Sequence, residues 1–260
     1  MTALPSLFVS HGAPTFALEP GAIGSELAEL ARSLPKPDAV VIVSPHWTRR
    51  TTMVTTTAQP ATIHDFGGFP EALYRLSYPA PGAPAVATRA IGLLEHAGVE
   101  ALAEPRRGLD HGAWVPLMHM YPDATVPVVQ VSLQPDRPPR DHYELGRALA
   151  PLRDEGVLIV GSGSITHNLY EFRGPQQEVS PYVTEFTGWI ADRLAAWDLD
   201  ALLDYRRRAP QAARAHPTDE HLMPLMFALG AAGERPAMQR LGQHDVRYGM
   251  LAMDAYVFGS

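Results

Sequence analysis

The run Ala39-Val40-Val41-Ile42-Val43 constrains the fold more than any other stretch of the chain. Five consecutive apolar residues, four of them β-branched, leave no face for water, and Pro37 and Pro45 bound the run. A strand of this kind is covered on both sides, as in a parallel sheet with helices on each face. The neighbouring segments agree. Leu7-Phe8-Val9, Met53–Thr57, Val99–Ala103, Val126–Leu133 and Val157–Val160 read as further strands. They alternate with helical patterns at Gly24–Leu34, Ala85–His96, Trp114–Tyr121, Tyr143–Leu152, Pro181–Trp197 and Glu220–Leu229. Met250–Phe258 alternates weakly and reads as an edge strand. Ala58–Pro84, rich in Gly and Pro, reads as an ordered but irregular excursion. No repeat, low-complexity linker or composition shift divides the chain. The expectation is an α/β protein: one three-layer α/β/α domain over residues 1–260, with a mainly parallel, mixed central sheet.

Composition narrows the function. At 260 residues and 46% hydrophobic, the chain can bury a sizeable core. A net charge of −7 leaves no basic excess to neutralise phosphates, so neither nucleic acid nor an anionic membrane is an expected partner. Arg206-Arg207-Arg208 is the one basic run and reads as a solvated helix end. The absence of cysteine rules out disulfides, thiolate metal sites, iron–sulfur clusters and a cysteine nucleophile. No apolar run approaches the ~18–20 residues of a bilayer span. The first residues show no basic start followed by an apolar stretch. A soluble, cytoplasmic monomer or small homo-oligomer is expected.

Eleven histidines, more than either phenylalanine or tyrosine, point to metal or proton chemistry. Three of them follow strand-like runs. His11 follows Leu7–Ser10, His46 follows Ala39–Val43 through Ser44-Pro45, and His167 follows Val157–Val160 through Gly161-Ser162-Gly163-Ser164. In an open α/β sheet, ligands bind beyond the carboxyl ends of the strands, so three imidazoles delivered to one edge build a site. The Gly161–Ser164 loop lacks the Lys-Ser/Thr ending of a P-loop and the third glycine of a dinucleotide fingerprint. A further group comes from His216 and His221. Five residues apart, they do not share a helical face, so they do not form the HExxH zinc motif. His221, at the start of an apolar helix, is the better ligand. No Gly-x-Ser-x-Gly elbow supports a serine hydrolase.

Six segments together resemble the class III extradiol dioxygenases of the DOPA 4,5-dioxygenase type. They are Ser10–Pro14, Ser44–Trp47, Thr62–Pro70, Leu109–Trp114, Val160–Leu169 and the segment around His221. The resemblance implies a phosphorylase/hydrolase-like α/β/α fold. It implies one mononuclear divalent metal, Fe(II) in the working enzyme, bound by His11, His46 and His221, with His167 as general acid and base. The position of His221 holds a carboxylate in the wider superfamily, and Asp219 and Glu220 beside it keep that assignment open. A nearly all-imidazole site also suits zinc. His111 is a second catalytic candidate, or a buried hydrogen-bonded histidine near Trp114. His64, Trp47 and Asn168 are the candidates for substrate contact, with Phe66 beside Trp47 as an aromatic wall and Asn168 orienting a ligand imidazole. His96, His119, His142 and His244 read as surface or helix-packing residues. The expected substrates are a small aromatic diol and O2. A zinc-dependent hydrolase on the same histidines, or a non-catalytic metal protein, are the alternatives.

Overall fold

In the computed structural model, which describes residues 3–175 and 178–259, the apolar run lies near the middle of an eight-stranded sheet. The strands are β1 (Ser6–Ser10), β2 (Ala39–Thr48), β3 (Thr52–Thr55), β4 (Ala101–Glu104), β5 (Val128–Leu133), β6 (Val157–Gly163), β7 (Met238–Leu241) and β10 (Ala255–Phe258). Between the last two, β8 (Val246–Arg247) and β9 (Leu251–Ala252) form a separate ribbon. The sheet order is β4-β3-β5-β2-β6-β1-β10-β7. Its centre, β5-β2-β6-β1, is parallel, as are β3 and β4; β3 pairs antiparallel with β5, and β10 antiparallel with both β1 and β7.

Alternation along β2 assembles the layers. Val41 and Val43 pack on one side with Leu145 and Leu149 of α5 (Pro139–Leu149), Phe186 of α6 (Pro181–Ala195) and Phe227 of α10 (Met223–Ala231). Val40 and Ile42 pack on the other with Ile23 and Leu27 of α1 (Gly21–Ser33) and Trp114 and Leu117 of α4 (His111–Met120). All four β2 side chains are fully buried, each worth about 1.5–3 kcal/mol of transfer free energy. This is the mixed α/β fold with flanking helices read from the sequence. Among the described residues, no helix is long and apolar enough to cross a membrane.

Several boundaries differ from the sequence reading, each for a physical reason. Strand β2 does not stop at Val43 but runs on to Thr48, with its register against β5 shifting between Val43 and Thr48. Pro45 cannot donate to the ladder, so the strand is irregular there and re-aims its side chains. His46 therefore sits on the strand, not after it. Helix α4 starts three residues early, at His111, because the Asp110 side chain caps it by accepting from Ala113 N at 3.2 Å. Helix α10 starts later, at Met223, with Pro224 in its first turn. Helix α5 starts at Pro139 and gives way to a 3-10 turn over Ala150–Glu155.

Two further expectations do not hold. The final strand is not at the edge, because half-exposed Met238-Gln239-Arg240-Leu241 adds β7 outside it. Its polar centre carries a weak strand signal. Of the arginine run, Arg207 and Arg208 are the exposed helix end expected, but Arg206 is not: it donates to the carbonyls of Ala212, His216 and Pro217 and pairs with Asp219 at 2.8 Å. It thereby ties the loop before His221 to α8 (Tyr205–Arg208).

Candidate metal centre

The parallel strands β1, β2 and β6 end at one rim of the sheet, where four of the predicted histidines meet. His11 follows β1, and its backbone N–H donates to Gly163 O at 3.0 Å, which pins it to the end of β6. His46 enters from the irregular part of β2. His221 lies on the turn before α10, its carbonyl accepting from Ser164 N at 2.8 Å. His167 comes from the loop after β6 and is held by a bond from its N–H to Ala215 O at 2.9 Å. His111, the first residue of α4, is the fifth imidazole. It packs on His46 with ring centroids 4.0 Å apart, while His167 stacks on His221 at 3.5 Å with an interplanar angle of 7°.

One ring nitrogen each from His11, His46 and His221 lies within 4.8 Å of the other two. The opposite ring nitrogens decide what these three offer. Ser162 Oγ spends its hydrogen on Gly112 O, so at 3.0 Å from His11 Nδ1 it accepts, and Nδ1 carries the proton. Glu220 Oε1 accepts from His221 Nδ1 at 3.2 Å, and Asp65 Oδ2 lies 3.5 Å from His46 Nδ1. Nε2 of His11 and of His221 is thus left with a lone pair, and the carboxylate charge beside His46 Nδ1 favours the same tautomer there. His11 Nε2 and His46 Nε2 face each other at 3.2 Å, and His221 Nε2 is buried with no partner among the described residues. Two facing lone pairs and a third orphaned acceptor are unfavourable without a cation between them. The donor set fits a divalent ion that accepts imidazole nitrogen.

The electrostatics agree, because metal ligation needs neutral imidazole. Burial, then the charge of neighbouring imidazoles, holds His11 and His221 well below the ordinary histidine range. Burial takes His46 down to about 3, with Asp65 opposing. Burial also lowers His167 to about 4, partly offset by Glu220, so at neutral pH its imidazole is uncharged.

These side chains open on a cavity of about 190 Å³. Its walls are the five histidines, the Gly12-Ala13-Pro14 turn and the apolar side chains of Phe66, Phe69, Leu169 and Leu251. Gly12 sits at φ +62°, and a Cβ there would strike the Met253 side chain, so the turn beside His11 requires glycine. An apolar cavity of ~150 Å³ takes up benzene, so one aromatic ring fits here. A larger cleft of about 430 Å³ elsewhere is lined by solvated charges such as Arg137 and Asp141 and carries no imidazole.

The substrate-contact candidates fare differently. Phe66 lines the cavity, but Trp47, His64 and Asn168 do not. Trp47 is buried under the Arg107 guanidinium, 5.0 Å from its ring. His64 donates from Nε2 to Leu76 O at 3.0 Å and stands behind Phe66. Asn168 does not orient a ligand imidazole. Its amide donates to Arg214 O at 2.7 Å and its oxygen accepts from Tyr170 N at 3.1 Å, which caps a 3-10 turn.

Asp65 is the residue that sequence reasoning missed. Its Oδ1 accepts from the His111 backbone N–H at 2.8 Å, and its Oδ2 from His111 Nδ1 at 3.0 Å. Burial alone would raise this carboxyl, but the bonds and charge from His111 outweigh it and hold it at about 2. A signal for it exists, since a histidine at a metal site commonly leans on a carboxylate. In the chain that signal is masked by the adjacent His64, the more conspicuous candidate.

Residues 10–259 match the family of the catalytic LigB subunit of aromatic ring-opening dioxygenase. The chain belongs to this family. It is 42% identical over 242 residues to a 4,5-DOPA dioxygenase extradiol of Escherichia coli (strain K12), covering 90% of this chain and 88% of that one. It is 39% identical to a protein of the same name from Beta vulgaris, over 98% of this chain and 96% of the relative. The crystal structure of an uncharacterized protein from Escherichia coli K12 superposes with a TM-score of 0.79 at 32% identity, covering 98% of this chain and all of that one. The class expected from the short motifs is therefore the right one: a class III extradiol, ring-opening dioxygenase. The zinc hydrolase alternative falls with it.

Proposed function

We propose that this dioxygenase opens the ring of a small catechol, DOPA or a close relative, at one Fe(II) held by Nε2 of His11, His46 and His221. The observation that carries the reading is the convergence of three imidazole nitrogens, one of them buried and without a partner among the described residues. When bound, the ion supplies Lewis acidity toward the diol and the electrons that O2 needs. Zinc fits the same three nitrogens and is a competitor for the site during isolation.

The chain's own residues do the rest. Phe66, Phe69, Leu169 and Leu251 take the ring and exclude water from it. His167, neutral and stacked beside His221, accepts a hydroxyl proton of the diol. The substrate name carried by the relatives supports a DOPA-like diol, and the cavity volume supports a single ring. A cytoplasmic location suits a chain with no cysteine and an easily oxidised metal.

The test is anaerobic Fe(II) reconstitution followed by oxygen uptake across a panel of catechols. Uptake in step with loss of the catechol is expected. His11→Ala and His46→Ala should each lose bound metal, whereas His167→Ala should keep it and lose turnover. A fully loaded protein that consumes no oxygen with any catechol refutes the proposal.

A further inference from the structure

We propose that Asp65 is a positioning carboxylate that serves two imidazoles at once, holding His46 for the metal and turning His111 into a second proton acceptor at the cavity. The inference rests on the dioxygenase reading for its kinetic consequence only. Its geometric content stands alone.

Asp65 comes from the irregular segment between β3 and α2 (Glu71–Tyr74), outside every strand and helix that carries a histidine. It is nonetheless anchored, because Oδ1 accepts the backbone N–H of His111 at 2.8 Å. This bond to the first residue of α4 fixes where Oδ2 lies. From there Oδ2 reaches two ring nitrogens, His111 Nδ1 at 3.0 Å and His46 Nδ1 at 3.5 Å. An ionised carboxylate only accepts, so the hydrogen-bonded His111 Nδ1 carries its proton, and the same charge 3.5 Å from His46 Nδ1 favours the proton there too. Both Nε2 atoms are then bare.

The two bare nitrogens have different tasks. His46 Nε2 faces His11 Nε2 in the ligand cluster. His111 is outside that cluster, yet its ring lines the cavity, 5% exposed. The structure thus places one free imidazole beside each of two ligands: His167 on His221 and His111 on His46. A catechol has two hydroxyl groups, and each can find its own acceptor. At His111 the O–H bond of the diol breaks, Nε2 gains the proton, and the oxygen keeps the electron pair as phenolate. The imidazolium that forms is stabilised by Asp65 on its far side, as in any carboxylate–histidine pair.

Two experiments test this. The first uses the unaltered, zinc-loaded protein and reads histidine tautomers by long-range proton–nitrogen NMR. His111 should show a pyrrole-like, protonated Nδ1 and a pyridine-like Nε2. The opposite tautomer overturns the proposal, whatever the enzyme's activity. The second compares Asp65→Asn with Asp65→Glu. An asparagine amide donates to Nδ1 and forces the proton onto Nε2. Zinc affinity, measured by chelator competition, should weaken about 10–100-fold in Asp65→Asn. In the iron-loaded enzyme kcat should fall roughly 10²–10⁴-fold while KM stays within a few-fold. Asp65→Glu should recover part of both losses. Zinc affinity and kcat within threefold of the parent in Asp65→Asn would reject the role, and absence of turnover in the parent would instead count against the dioxygenase reading.

Discussion

Replacing Gly163 with alanine should both destabilise the fold and loosen the metal site, by amounts that follow from one contact. Gly163 ends β6, and a Cβ there would fall deep inside van der Waals contact with the carbonyl oxygen of His221. It would also stand 3.0 Å from Pro224 Cγ and 3.2 Å from Phe8 Cε2, both held in the core. The obstacle is backbone, so no rotamer change relieves it. The His221 carbonyl must retreat by roughly 1 Å to restore an ordinary carbon–oxygen separation. That same oxygen accepts from Ser164 N at 2.8 Å, and the retreat breaks this buried bond. Overpacking costs about 1–3 kcal/mol and the lost bond about 1 kcal/mol. The reduced entropy of the unfolded chain returns about 0.4–1 kcal/mol. A net loss of about 1–3.6 kcal/mol results from these terms taken together. The His221 ring travels with its backbone, so zinc affinity should fall at least about 10-fold. The assays are urea unfolding of the metal-free protein and chelator competition for zinc. Gly188→Ala is the control: it lies in α6, where an added methyl group would meet nothing within 4 Å, and should gain about 0.5–1 kcal/mol. If Gly163→Ala matches the parent in stability and binds zinc within twofold, the close approach of the His221 turn to β6 is not what positions the ligand.

Two further outcomes follow from the same structure. His216 is wholly buried with its Nε2–H on Ile165 O at 2.8 Å, and burial lowers it from 6.5 to about 3. The unfolded chain therefore binds the extra proton first, and stability is lost as pH falls below the unfolded value, by about 1.4 kcal/mol per pH unit. Urea unfolding of metal-free protein between roughly pH 5.5 and 4 should show a slope shallower by that amount in His216→Gln; equal slopes would disprove the buried neutral state. Zinc at about 100 times its dissociation constant should stabilise the folded protein by about 2.7 kcal/mol, a rise of roughly 5–10 °C in Tm for a chain of this size. The rise should vanish in His46→Ala, and a full rise there would remove His46 from the ligand set.

The difference between what was legible in the chain and what was not lies in how far each signal extends along it. The β-branched run at 39–43 states its own burial, so the sheet, its parallel centre and the helices on both faces could be read locally. Histidines after such runs could be read too, because a parallel strand fixes which edge its end reaches. Asp65 could not, because its value depends on a segment without periodicity folding back 46 positions short of its partner His111. Asn168 misled for the converse reason: adjacency to His167 suggested a partner, but a residue next in sequence on a turn points elsewhere, here to Arg214 O. The glycines carry the least local signal of all. Gly161 and Gly163 read as part of a loop, yet they belong to β6 and admit the backbone of Pro224 and His221. Gly146 and Gly230 do the same where α5 crosses α10, each meeting the other helix's backbone. A chain that spends four glycines on bringing α10 close to β6 and α5 is holding the His221 turn from behind. The metal site is therefore specified by the core as much as by the imidazoles, and substitutions far from the cavity should move it.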